Sequence, residues 1–81
     1  MNQEYEYQFG QNLKRLREGC GLTQEQAAAQ LQTRGCDLTR SALAKIEVGQ
    51  RHVYPDEIRW LSEIYKVRFE EMFPGTPGQA P

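Results

Sequence analysis

The sequence has few of the residues that build metal or redox sites. It contains one histidine, His52, and two cysteines, Cys20 and Cys36, which form no C-x-x-C pair. A zinc site needs about four ligands, usually at short spacings, so we expect no metal and no cofactor. Two cysteines are also too few for a disulfide framework, and we expect both to be reduced thiols.

Long apolar runs and catalytic sets are missing as well. No stretch approaches the ~18 apolar residues of a membrane span, and no export signal opens the chain, so we expect a cytoplasmic, bacterial or phage-encoded protein with no membrane partner. A chain of this length forms one small domain, in which a deep cleft is hard to build. Without a Ser/His/Asp set or a glycine-rich phosphate loop, we expect no enzyme and no small-molecule substrate.

The net charge is low, at −1, but it is unevenly distributed. Residues 1–12 have a net charge of −2. Residues 13–52 have a net charge of +3, from seven Lys or Arg and four Asp or Glu residues, and residues 53–81 have a net charge of −2. A basic middle between acidic flanks is the pattern that a one-sided surface for nucleic acid requires, although the whole domain is not strongly basic.

Apolar spacing and capping residues predict helices and no convincing strand. The first helix ends at Gly19 and Gly21, and we expect Cys20 to fill core space beside its apolar face. The second and third helices begin after the N-cap residues Thr23 and Thr39, and Thr23 forms a capping box with a glutamine three residues later.

The fourth helix begins at Pro55, and a short final turn or helix, "RFEEMF", is expected to return Phe69, Met72 and Phe73 to the core. Residues 74–81, "PGTPGQAP", are predicted to be a disordered tail or linker. The predicted fold is therefore all-α, a compact five-helix bundle over residues 1–73.

The third helix, predicted over about 39–48, separates into two faces on a helical wheel. Leu43 and Ile46 define the buried face, and the opposite face carries Ser41, Ala44, Lys45 and Val48, with Arg40 to one side. This outer surface consists of small residues flanked by long basic side chains, which suits close approach to a polyanion.

Glu47 lies beside the buried face of the same helix. A carboxylate in that position is unfavourable unless it is paired, because desolvation penalises its charged form. Arg17, at the edge of the apolar face of the first helix, is the best partner by position. We therefore predict a structural ion pair between Arg17 and Glu47.

The segments "LKRLREGCGLTQEQAAAQL" and "LTRSALAKIEVGQ", with the closing "VRFEEMF", resemble the Cro/C1-type, or XRE, helix-turn-helix family. The resemblance extends from about Phe9 to Phe73. It implies a lambda-repressor-like DNA-binding domain that reads a double-stranded DNA operator, usually as a homodimer, and controls transcription as a repressor.

By matching position, the resemblance also implies individual roles. Base contacts fall on Arg40, Ser41 and Lys45, and the ion pair of Arg17 and Glu47 matches the family's buried pair. Phosphate contacts fall on Gln24, Thr39, Arg51 and His52, with Arg34 as a further candidate in the loop before the third helix.

Two departures from the family pattern concern the second helix and the loop that follows it. The connection "QTRGCD" is several residues longer than usual, so either the helix extends or the loop protrudes, and Cys36 within it is the candidate for a reactive thiol. Ala27 stands where the family more often has a larger apolar residue.

A rival reading is a protein-interaction module on the same fold, such as an antitoxin-like or anti-repressor partner. An exposed apolar patch around Tyr54, Trp60 or Tyr65 would favour it.

Overall fold

A computed structural model describes residues 3–75, which form four α-helices and one 3-10 turn. The helices are α1 (Gln3–Gly19), α2 (Gln24–Thr33), α3 (Arg40–Glu47) and α4 (Pro55–Tyr65), and the 3-10 turn is Phe69–Met72. Within residues 3–75 there is no strand, and no helix is both long and apolar enough to span a membrane. Most of the predicted tail or linker, 74–81, lies outside the described residues, from 76 onward.

The predicted final turn or helix is a single 3-10 turn, so the count of five helices is not confirmed. α4 ends where Lys66 adopts a left-handed backbone conformation, with φ 58°. Phe73 is extended, with φ −98° and ψ 135°, as the following Pro74 favours. Too little chain remains between these points for an α-helix. Met72 is fully buried as expected, but Phe69 is 55% exposed and packs on the Phe73 ring.

The predicted caps fix the starts of α2 and α3. The Thr23 hydroxyl accepts a hydrogen bond from the Gln26 N–H at 3.1 Å, and the Gln26 side chain accepts one from the Thr23 N–H at 2.9 Å. The Thr39 hydroxyl accepts one from the Ala42 N–H at 3.1 Å. Because each bond spans three residues, these helix starts follow from the local sequence.

The core lies between the helices, and α3 contacts both α1 and α2. Its buried side chains come from all four helices, the α2–α3 connection and the 3-10 turn: Phe9, Leu13, Ala27, Ala28, Leu31, Cys36, Leu38, Leu43, Ile46, Leu61, Ile64, Tyr65 and Met72. The helical faces predicted for Leu43 and Ile46 are therefore confirmed.

Neither cysteine has the exposure expected for it. Gly35 has φ 83°, and the Cys36 N–H donates to the Leu31 carbonyl at 3.0 Å, which turns Cys36 inward so that it is only 5% exposed. Burial raises the pKa of the Cys36 thiol, so it is a core residue and a poor nucleophile. Cys20 instead is exposed, and its thiol donates to the Tyr65 carbonyl at 2.9 Å.

Candidate nucleic-acid interface

The outer face of α3 brings together the three residues predicted to contact bases. Arg40, Ser41 and Lys45 are all exposed. The side chains of Arg40 and Lys45 make no hydrogen bond or ion pair with any residue of the described part of the chain. Their charged ends are therefore available to an external ligand.

The C-terminal end of α3 is held by the ion pair between Arg17 and Glu47. The Arg17 Nε lies 2.7 Å from Glu47 Oε2, and the Arg17 Nη2 lies 3.0 Å from Glu47 Oε1. Only 7% and 2% of the two side chains is exposed. Hydrogen bonding to Glu47 raises the pKa of Arg17 in spite of its burial, so the guanidinium stays charged. The pair predicted from the sequence is present.

Gln24 joins the same cluster through its side chain. Its Nε2 donates to Glu47 Oε1 at 2.9 Å, so this carboxylate accepts hydrogen bonds from both α1 and α2. The side chain is thus occupied by an internal partner, contrary to a simple role as a phosphate ligand. Because the Gln26 N–H donates to the Thr23 hydroxyl, the groups that remain for a phosphate at this place are the backbone N–H groups of Gln24 and Glu25.

Two residues beside this cluster were missed by the sequence analysis. A Cβ added to Gly10 would collide with the Ile46 carbonyl oxygen and would lie 2.9 Å from the Glu47 carbonyl carbon. The adjacent Gln11 Nε2 donates to the Glu47 carbonyl at 2.8 Å. α1 therefore lies directly on the last turn of α3. A glycine inside a helix, which is unfavourable on its own, was the available signal for such an approach.

The loop after α3 places its predicted phosphate ligands against carboxylates. Arg51 binds both oxygens of Glu57, at 2.9 and 3.1 Å, and also donates to the His52 carbonyl at 2.8 Å. The guanidinium of Arg51 also lies 5.6 Å from the ring centre of Tyr54. His52 Nδ1 is 3.3 Å from both carboxylate oxygens of Glu6 on α1. Both side chains thus have partners that a phosphate would have to displace.

Thr39 and Arg34 keep part of their hydrogen-bonding capacity. The Thr39 hydroxyl accepts from the helix, which leaves its own O–H free to donate. Arg34 is exposed and uses Nη1 to donate to the Gln30 carbonyl at 3.1 Å, which leaves its other N–H groups available. Unlike Arg51, these two side chains thus keep donors that no carboxylate of residues 3–75 occupies.

Comparison with known proteins assigns this arrangement to a family. The family model described as a helix-turn-helix domain matches residues 8–72, and the chain belongs to that family. The XRE-like helix-turn-helix identification is thereby confirmed.

Two particular proteins are similar to the chain. It is 32% identical over 68 residues to the HTH-type transcriptional activator BcrR of Enterococcus faecalis, across 84% of this chain and 31% of BcrR. The chain thus spans about a third of the length of that relative. The crystal structure of the DNA-binding domain of BldD matches with a TM-score of 0.78 and 27% identity, over 91% of this chain and 100% of that domain.

Proposed function

We propose that the domain binds double-stranded DNA sequence-specifically, with α3 in the major groove, as part of a transcription regulator. The observation that carries the proposal is the outer face of α3, where the side chains of Arg40 and Lys45 are exposed and have no internal partner among residues 3–75. The opposite face is anchored by the buried carboxylate of Glu47. A major groove about 12 Å wide admits a helix presented in this way.

The proposed base contacts follow from the chemistry of these side chains. Arginine and lysine are the commonest ligands of guanine O6 and N7, and a serine hydroxyl bonds to several bases. We assign these contacts to Arg40, Lys45 and Ser41. The phosphate contacts are assigned first to Thr39, Arg34 and the N–H groups that begin α2.

Gln24, Arg51 and His52 remain in the proposed phosphate set as residues that must exchange partners. Each has an internal carboxylate partner, namely Glu47, Glu57 and Glu6. A phosphate that takes over one of these donors leaves the carboxylate behind, so the net gain from each contact is smaller than from Arg40 or Lys45.

The proposal also includes whether the protein represses or activates transcription and whether it binds DNA as a dimer. The sequence resemblance implies a Cro/C1-type repressor that binds a palindromic operator as a homodimer. BcrR is named an activator and BldD's matching region a DNA-binding domain. Both names support the regulator proposal, and the choice between repressor and activator stays a prediction.

The test is selection of bound duplexes from a random library at two salt concentrations. Wild type is compared with Arg40→Ala and Lys45→Ala, and with Arg59→Ala as a control, because Arg59 is an exposed arginine of α4. We expect an enriched motif, a steep loss of affinity with salt, and a relaxed preference at one position for each α3 variant. The control should keep the motif. A folded wild type that binds no duplex at low salt would refute the proposal.

The rival role as a protein-interaction module has less support from the aromatic residues on which it depends. Tyr65 is 1% exposed, and Trp60 is half-buried with the Arg59 guanidinium 5.4 Å from its ring centre. Of the three, Tyr54 is the exposed one, at 57%. These residues do not form the continuous apolar patch that the rival role requires.

A further inference from the structure

Val48 is an apolar side chain on the surface that we assign to DNA. It caps the C-terminal end of α3 and is 47% exposed. It lies three residues after Lys45, four after Ala44 and seven after Ser41, so it continues their face by one turn. None of the base or phosphate contacts proposed above uses it.

The position of Val48 is fixed by its neighbours on both sides. Glu47 before it is held by Arg17, and Gly49 after it has φ 77° and donates its N–H to the Ile46 carbonyl at 3.1 Å. The Gln50 N–H donates to the Lys45 carbonyl at 2.8 Å and closes the turn. Because valine is branched at Cβ, its side chain has little rotational freedom. Its two methyl groups are therefore held on the outer face of α3.

We infer that Val48 contacts the 5-methyl group of a thymine in the major groove, and that it specifies that base. This inference rests on the proposed function. The thymine methyl is the apolar group among the base-edge features that the major groove displays. A valine side chain has no hydrogen-bonding atom, so it is not a phosphate ligand.

Charge favours DNA as the occupant of this apolar position over a protein surface. Arg40 and Lys45 lie on the exposed side of α3, and the helix has a single acid, Glu47, which is 1% exposed. The exposed face of α3 around Val48 therefore carries basic and small side chains, and its positive charge complements a polyanion.

The experiment replaces thymine by uracil at each position of the selected duplex, one at a time. This change removes the 5-methyl group and keeps the base pairing. Wild type should lose about fourfold in affinity at one thymine, as expected for one buried methyl group. Val48→Ala should bind the thymine duplex more weakly and show little further loss with uracil at that position.

Arg40→Ala serves as the matched control on the same face. It should weaken binding to the thymine and uracil duplexes by the same factor, so that their ratio stays as in wild type. Circular dichroism of Val48→Ala checks that the substitution, at a half-exposed position, leaves the fold intact.

The outcomes separate this inference from the proposed function. If wild type selects a motif but no uracil replacement weakens binding, or if the loss is the same in Val48→Ala, the inference is overturned and DNA binding stands. If wild type binds no duplex, the proposed function and the inference both fail.

Discussion

The two arginine–glutamate pairs that flank α3 have similar geometry but different surroundings. Arg17 and Glu47 meet at 2.7 and 3.0 Å, and Arg51 and Glu57 meet at 2.9 and 3.1 Å. The exposed fractions of the side chains are 7% and 2% in the first pair and 31% and 13% in the second. The first pair joins α1 to α3 in the interior, whereas the second joins the loop after α3 to the first turn of α4.

The comparison shows how burial decides the role of the same chemistry. In the interior, removing one partner leaves the other as a buried charge without solvent. Each partner of a buried pair therefore depends strongly on the other. Near the surface, water solvates whichever partner remains and screens the attraction. We therefore expect the Arg17–Glu47 pair to determine whether α3 is held in place, and the Arg51–Glu57 pair to shape a loop.

The largest effect is expected for Glu47→Gln. The buried Arg17 guanidinium would lose its counter-charge, at a cost of about 3–5 kcal/mol in the free energy of unfolding. Since small domains have about 5–15 kcal/mol in total, the variant should be marginally folded. Urea unfolding followed by circular dichroism measures the change. A loss no larger than that of Glu57→Gln would remove the distinction between the two pairs.

A smaller loss is expected for Gly10→Ala, which tests the backbone contact beside the buried pair. The added methyl group meets the Ile46 carbonyl, so α1 must shift away from α3, at a cost of about 1–3 kcal/mol. Gly19→Ala is the matched control in the same helix, because a Cβ there meets nothing within 4 Å. Thermal unfolding of both variants is the measurement, and equal melting temperatures would show that the contact is not restrictive.

Among residues 3–75, one buried side-chain polar atom has no hydrogen-bond partner, the hydroxyl of Tyr65. Burial raises the pKa of this phenol, so it stays neutral at pH 7. Tyr65→Phe removes the unsatisfied hydroxyl and keeps the ring, and we expect it to stabilise the fold by about 1 kcal/mol. Chemical unfolding at pH 7 measures this. A clear loss of stability would mean that the hydroxyl has a stabilising partner.

In the partly exposed pair of Arg51 and Glu57, Glu57→Gln should lower the free energy of unfolding by about 1 kcal/mol or less. It also frees Arg51, so affinity for a selected duplex should hold or rise. Glu63→Gln is the control, because its pairing with Arg59 is exposed and longer, at 3.9 Å. Unfolding and DNA-binding measurements on both variants test this, and weaker DNA binding by Glu57→Gln would assign Glu57 a role in placing Arg51 for DNA.

The smallest effect is the pH dependence that comes from Glu57. Burial opposes its charged form, but hydrogen bonds from Arg51 and from the Tyr54 N–H outweigh burial and lower the pKa of this carboxyl from 4.5. A lowered folded-state pKa stabilises the fold above the unfolded-state value, and the stabilisation is lost as the pH falls through the folded-state value. The stability difference between wild type and Glu57→Gln should thus shrink below about pH 4. A stability difference that stays constant from pH 7 to pH 3 would contradict the lowered pKa of Glu57.

Much of the fold was predictable because its signals act over a few residues. Thr23 and Thr39 cap helices through bonds that span three residues, and the spacing of Leu43 and Ile46 defines the buried face of α3. The ion pair of Arg17 and Glu47 was predictable too, because a carboxylate beside an apolar stripe requires a partner and the neighbouring helix offered one cation at its edge. The final element was predictable only as a turn or a helix, because the conformation of Lys66 and the extended Phe73 leave room for one 3-10 turn.

The sequence by itself therefore determined the starts of α2, α3 and α4, the two faces of α3, the exposed positions of Arg40 and Lys45, and the need for a buried counter-ion. Only the tertiary structure decided which of the other polar side chains were free. Gln24 meets Glu47 from 23 residues away, and His52 meets Glu6 from 46. Such partners are chosen by how the helices pack. Local periodicity and capping carry no information about distances between helices, so the sequence could not show that these donors have internal partners.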